Sequence, residues 1–135
     1  MFADRLRQTL NFSETLSADA TRAIARADGA LRVTGVDVFN ASAVATHATN
    51  YITFKVINLG TDAQGTTVVA SASTSQTGGT AMAAHVAFPL TVVSAAAEVS
   101  DGSTLGFVYD EATTDVANSH VIHVVVKTVP VGSPS

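Results

Sequence analysis

Four histidines, His47, His85, His120 and His123, are the side chains best suited to acid–base or metal chemistry in this sequence. A metal site needs several imidazole or carboxylate donors aimed at one point. His120 and His123 stand three apart in HVIHVVVKTV, a run that reads as a strand, where that spacing puts side chains on opposite faces. They cannot chelate one ion together, and all four histidines are expected to be ordinary surface or core residues. Asp110, Glu111 and Asp115 bring together carboxylates of the kind that hold Ca²⁺. They lack the alternating spacing of a calcium loop, so a solvated acidic loop is expected. Serine and threonine are abundant, yet the sequence holds no Gly-x-Ser-x-Gly elbow and no Gly-rich phosphate loop. Cysteine is absent, which removes thiolate and disulfide chemistry and suits a chain that folds in a reducing cytosol. No catalytic residue, metal or cofactor is expected.

Charge and aromatic content narrow the classes of partner. Arg5, Arg7, Arg22, Arg26 and Arg32 lie in the first 32 positions, and only Lys55 and Lys127 follow, within a formal net charge of −4. A nucleic-acid face needs clustered cations to neutralise phosphates, so none is expected. Sugar sites on β-sandwiches present flat aromatic rings to the apolar face of a pyranose. With no Trp and only Tyr51 and Tyr109, a lectin-like role is disfavoured. Phe39, Phe54, Phe88 and Phe107 are expected to pack in the core. The opening segment MFADRLRQTLNF is interrupted by Asp4, Arg5 and Arg7, so it reads as neither signal peptide nor membrane span. Charged residues make up only 13 % of the chain, a weakly charged surface that suits an assembly component.

The elements that carry these residues follow from a period of two. Ile52, Phe54 and Val56 alternate with Tyr51, Thr53 and Lys55, and the alternation resumes at Val68, Ala70 and Ala72. The intervening bend, Asn58 to Gly65, is rich in Asn, Asp and Gly and predicts a long-looped antiparallel hairpin at the centre of a larger sheet. Asp19 to Ala27 reads as a strand, although its alanines also suit a helix. Leu31 to Asn40 is a strand with Val33, Gly35, Asp37 and Phe39 on one side, and Gly35 predicts a bulge or close backbone approach. His85 to Val93 is a strand in which Pro89 marks a sheet edge or bend. Thr104 to Asp110 and His120 to Val129 complete the set, and Val121 to Val126 is apolar enough to suggest cover on both faces.

Seven such strands, or eight, with little helix, predict an all-β fold, an antiparallel β-sandwich of jelly-roll or Greek-key type. At 135 residues the chain is one domain with a core of its own. The expected organisation is an N-terminal arm at 1–17, a sandwich at 18–129 and a C-terminal tail at 130–135.

Three runs go beyond pattern: Val33-Thr34-Gly35-Val36, Ala48-Thr49-Asn50-Tyr51 and Gly65-Thr66-Thr67-Val68-Val69-Ala70. Together they resemble a recurrent β-sandwich protein encoded among the virion genes of tailed bacteriophages, in which an "ITGV" strand, an "ANATNY" segment and a "GTTVVA" strand follow one another. That family's "GD-L-F" turn corresponds to Asp101 through Phe107, with the order of Gly and Asp reversed. The resemblance spans roughly Asp19 to Val126 and rests on structural rather than catalytic residues. It implies a non-enzymatic capsid decoration, or cement, protein on the outer capsid surface, made in the host bacterial cytoplasm. It also implies a homotrimer that binds the major capsid protein, with no nucleic-acid or membrane partner. The competing expectation is a head-fibre or tail-tip module that binds a host glycan or receptor. In the decoration reading, Phe2, Leu6, Leu10 and Phe12 anchor the arm in a neighbour while Arg5 and Arg7 pair with capsid acids. Seventeen extended residues reach at most about 55 to 60 Å.

Overall fold

The computed structural model describes residues 8–112 and 120–131. Nine strands follow one another: β1 (Gln8–Leu16), β2 (Ala20–Arg26), β3 (Leu31–Asn40), β4 (Ile52–Gly60), β5 (Thr67–Ser73), β6 (Phe88–Val92), β7 (Glu98–Val99), β8 (Thr104–Glu111) and β9 (His120–Pro130). One 3-10 turn, Ser94–Ala96, separates β6 from β7. Every pairing between strands is antiparallel.

Setting aside the two-residue β7, which pairs with β3, strands pair from the outside of the sequence inward. β1 pairs with β9, β2 with β8, β3 with β6 and β4 with β5. One long antiparallel ribbon folded over itself produces this nesting, and it is the jelly-roll topology. The result is two layers, β1-β9-β3-β6 and β2-β8-β4-β5, joined where β6 passes from one to the other. Phe88, Pro89 and Leu90 pair with β3, whereas Thr91 and Val92 pair with β5. Pro89 thus sits where β6 has a single neighbour, so its missing N–H interrupts no second ladder.

Alternation fills the space between the layers. Ile52, Phe54 and Val56 of β4, Leu105, Phe107 and Tyr109 of β8, and Ile122, Val124 and Val126 of β9 are all buried. Phe54 is the hub, with its ring centroid 6.0 Å from Phe107 in a near-parallel stack and 5.9 Å from both Phe88 and Tyr109 in edge contacts. Such offset and edge geometries complement the ring quadrupoles.

The structure changes several expectations. Gln8–Leu16, placed in the arm by the sequence, is strand β1 and pairs with β9 from His120 to Thr128, with Leu16 buried and Leu10 and Phe12 packed against the core. The bulge expected at Gly35 is present between Val33 and Gly35, and it reverses the alternation. Val33, Val36 and Val38 therefore share the inner face, while Asp37 and Phe39 lie outside. Phe39 consequently leaves the core and sets its ring 6.2 Å from that of His123. The apolar run of β9 is covered on one face only, since Val121 is 55 % exposed. The strand around Pro89 begins at Phe88 because His85 adopts a left-handed φ of 62°.

Candidate functional site

The histidines are separated and each has a local structural partner. In the β3–β4 connection, His47 Nδ1 accepts from the backbone N–H groups of Thr49 (3.0 Å) and Asn50 (2.8 Å), tightening that turn. The backbone N–H of His85 donates to the Asn40 carbonyl at 2.8 Å. His123 lies on the outer face, where Nδ1 meets the Ser13 hydroxyl of β1. His120 points inward at the start of β9 and is 5 % exposed. The expected opposition of His120 and His123 is what the strand shows, and among the described residues no three His, Asp or Glu side chains gather to hold a metal ion.

A polar cluster closes one end of the sandwich. The Tyr109 hydroxyl donates to Glu111 Oε2 at 2.9 Å, and the Glu111 N–H donates to Asp19 Oδ1 at 2.8 Å. Ser42 N–H occupies Asn40 Oδ1 at 2.9 Å, which leaves the Asn40 amide as donor to His120 Nδ1 at 3.0 Å. Neutral His120 therefore carries its proton on Nε2, which has no partner among the described residues. Burial pushes the His120 pKa below its ordinary value despite the opposing charge of Glu111. Burial, reinforced by the bond to Glu111, pushes the Tyr109 phenol far above its ordinary range. The Tyr109 phenol is therefore held protonated near neutral pH. The cluster ties together the ends of β3 and β8 and the starts of β2 and β9.

The acidic group does not form one loop. Asp110 and Glu111 are the last residues of β8 and alternate between faces, while Asp115 lies outside the described residues. Of the residues expected in a contact arm, Leu10 and Phe12 belong to β1, and the Phe12 ring is 6.1 Å from Phe107. Phe2, Arg5, Leu6 and Arg7 lie outside the described residues.

A groove on the outer face of the second layer was not foreseen from the sequence. Thr53 and Lys55 of β4 and Ser71 and Ser73 of β5 form its floor, in a space of about 690 Å³. Its only sequence signal was the run of small hydroxyl residues at alternate positions, which also suits any solvent-facing sheet.

Comparison with known proteins bears on the fold. No protein-family model matches the chain, and no curated protein matches it. Among solved structures, a chain of the cyanophage Pam1 capsid asymmetric unit superposes with a TM-score of 0.57 at 14 % identity, covering 92 % of this chain and 84 % of that one. A chain of infectious bursal disease virus, Gt strain, matches with a TM-score of 0.40 at 14 % identity, covering 94 % of this chain and 32 % of that one. The class defined by fold is therefore a single jelly roll of the kind found in the cyanophage capsid. At this identity the likeness is one of architecture.

Proposed function

We propose that this chain is a non-enzymatic decoration protein of a bacteriophage capsid, bound to the outer surface and bridging neighbouring major capsid protein subunits. The observation that carries the reading is the jelly roll shared with the cyanophage capsid chain over 92 % of this chain and 84 % of that one. The motif resemblance to tailed-phage virion proteins supports it independently. A protein of this kind makes modest contacts many times over a lattice, and linking several through one oligomer raises avidity by about 10²-fold or more. A homotrimer serves that purpose, and the outer edges of β1 and β2, which have no further strand beside them among the described residues, are the places where another chain adds. Within the arm, the segment that reaches the capsid is 1–7, with Phe2 and Leu6 as apolar anchors and Arg5 and Arg7 as partners for capsid acids. Leu10 and Phe12 hold that segment to the sandwich. Seven extended residues reach at most about 23 to 25 Å.

The test is co-sedimentation of the purified chain with mature capsids that lack it, alongside a chain starting at Gln8. Saturable binding by the full chain, weakened in the shorter one, is the expected result. Equal binding by both would remove the arm from the interface. A full chain that stays in the supernatant at every capsid concentration would overturn the decoration reading.

A further inference from the structure

The outer face of β4, β5 and β6 carries the groove, walled on one side by residues 75–80. Eight of the thirteen residues lining the groove bear hydroxyls, one is Lys55, and none is acidic. The floor is made by Thr53, Lys55, Ser71 and Ser73, the far side by Pro89 and Thr91 of β6, and one end by Tyr51. Among the described residues, the side chains of Thr53, Lys55, Ser71 and Thr91 form no hydrogen bond or ion pair within the chain. Asp110 faces Thr53 across the β4–β8 ladder, but it makes no ion pair with Lys55 and does not line the groove.

The wall is built rather than draped. Residues 75–80 turn back over the end of β5, with the Thr80 N–H donating to the Ser73 carbonyl at 3.1 Å and the Gly79 N–H to the Ser75 carbonyl at 3.0 Å. His47 N–H donates to Thr74 O at 3.2 Å and Gln76 N–H to His47 O at 2.9 Å, which fastens the wall to the β3–β4 connection. Gly78 takes a φ of 81°, and a Cβ at Gly79 would lie 2.4 Å from Ser73 O. A wall held this way keeps the groove open before any ligand arrives, so little ordering cost attends binding.

We propose that this groove binds an extended polyhydroxylated chain that carries carboxylates, an acidic polysaccharide. Rows of side-chain hydroxyls both donate and accept, matching the paired donor and acceptor character of sugar hydroxyls. Lys55, the only lysine in the lining and unpaired among the described residues, gives a carboxylate its charge-assisted partner. Tyr51 is the one aromatic ring in the lining, so recognition rests on the hydroxyl rows and Lys55 rather than on the aromatic platforms whose scarcity disfavours an ordinary lectin site. A peptide would need apolar pockets for anchor side chains, and Ala72 and Pro89 are the only lining residues with wholly apolar side chains. A nucleic acid would need a file of cations where the groove has one. The volume suits a few sugar rings. The inference stands on the groove alone and is independent of the capsid reading.

The experiment is isothermal titration of the full chain with tetragalacturonate, with neutral maltotetraose and tetraglutamate as comparators. Saturable binding of tetragalacturonate is expected, with both comparators weaker by about tenfold or more. Lys55→Ala and the double variant Ser71→Val with Thr91→Val are each expected to weaken binding by about tenfold while leaving the melting temperature within a few degrees. Val121→Ser, on the opposite layer, is expected to change nothing. The proposal is overturned by absence of saturable tetragalacturonate binding or by unchanged affinity in Lys55→Ala. It is equally overturned if maltotetraose or tetraglutamate binds as well.

Discussion

At the scale of single residues, the core and the end cluster dominate. Phe54 is fully buried with three other rings around it, so Phe54→Ala removes a large side chain and leaves a cavity that the surroundings fill only in part. The expected destabilisation is about 3 to 5 kcal/mol, read as a lower urea midpoint, against a total of about 5 to 15 kcal/mol for domains generally. His120 supplies a pH dependence whose sign is fixed by its surroundings. Its folded pKa lies below the ordinary 6.5, so the unfolded chain takes up a proton there that the folded chain resists. Its contribution is complete above pH 6.5 and declines as the pH falls through 6.5 toward the lower folded value. His120→Gln should flatten that part of the curve. The check is the urea midpoint at about pH 7.5 and about pH 5 in both proteins, where the wild type should lose more on acidification. An equal loss in both would assign the effect to other groups.

At the scale of elements, β1 changes the meaning of an N-terminal truncation. Its pairing with β9 runs from Gln8↔Thr128 to Leu16↔His120, and it brings Leu10, Phe12 and Leu16 to the core. Full burial of one such side chain is worth about 1.5 to 3 kcal/mol, so a chain beginning at Ser17 should lose several kcal/mol and expose the edge of β9. A chain beginning at Gln8 should melt within a few degrees of the full chain, with thermal denaturation and light scattering separating the two. The Arg22–Glu14 pair, in which Arg22 Nε donates to both carboxylate oxygens at 3.0 and 2.8 Å, joins β2 to β1 at the outer ends of the two layers. Both side chains are partly exposed, so the pair adds at most about 1 kcal/mol and locates the seam rather than holding it.

At the scale of the whole molecule, the trimer belongs to the proposed capsid reading, under which sedimentation equilibrium should return three times the 13.8 kDa chain mass. A monomer at all concentrations would remove the trimer from the capsid reading. The period-two runs of β3, β4, β5, β8 and β9 and the turn chemistry between them were readable in the sequence, because alternation and Gly or Asn turns are local consequences of residue type. So was the bulge at Gly35, though not the reversal of faces it imposes, which depends on the partner strand holding the register. The arm's second half could not be told from a tail, since QTLNFSETL becomes a strand only where β9 offers a ladder more than a hundred residues away. The end cluster of Asn40, Tyr109, Glu111 and His120 and the hydroxyl groove were equally hidden. Sequence by itself determined an all-β chain without a recognisable catalytic motif. Only the tertiary structure decided which hydroxyls share a groove and which histidine is buried, because both depend on contacts between strands far apart in the chain.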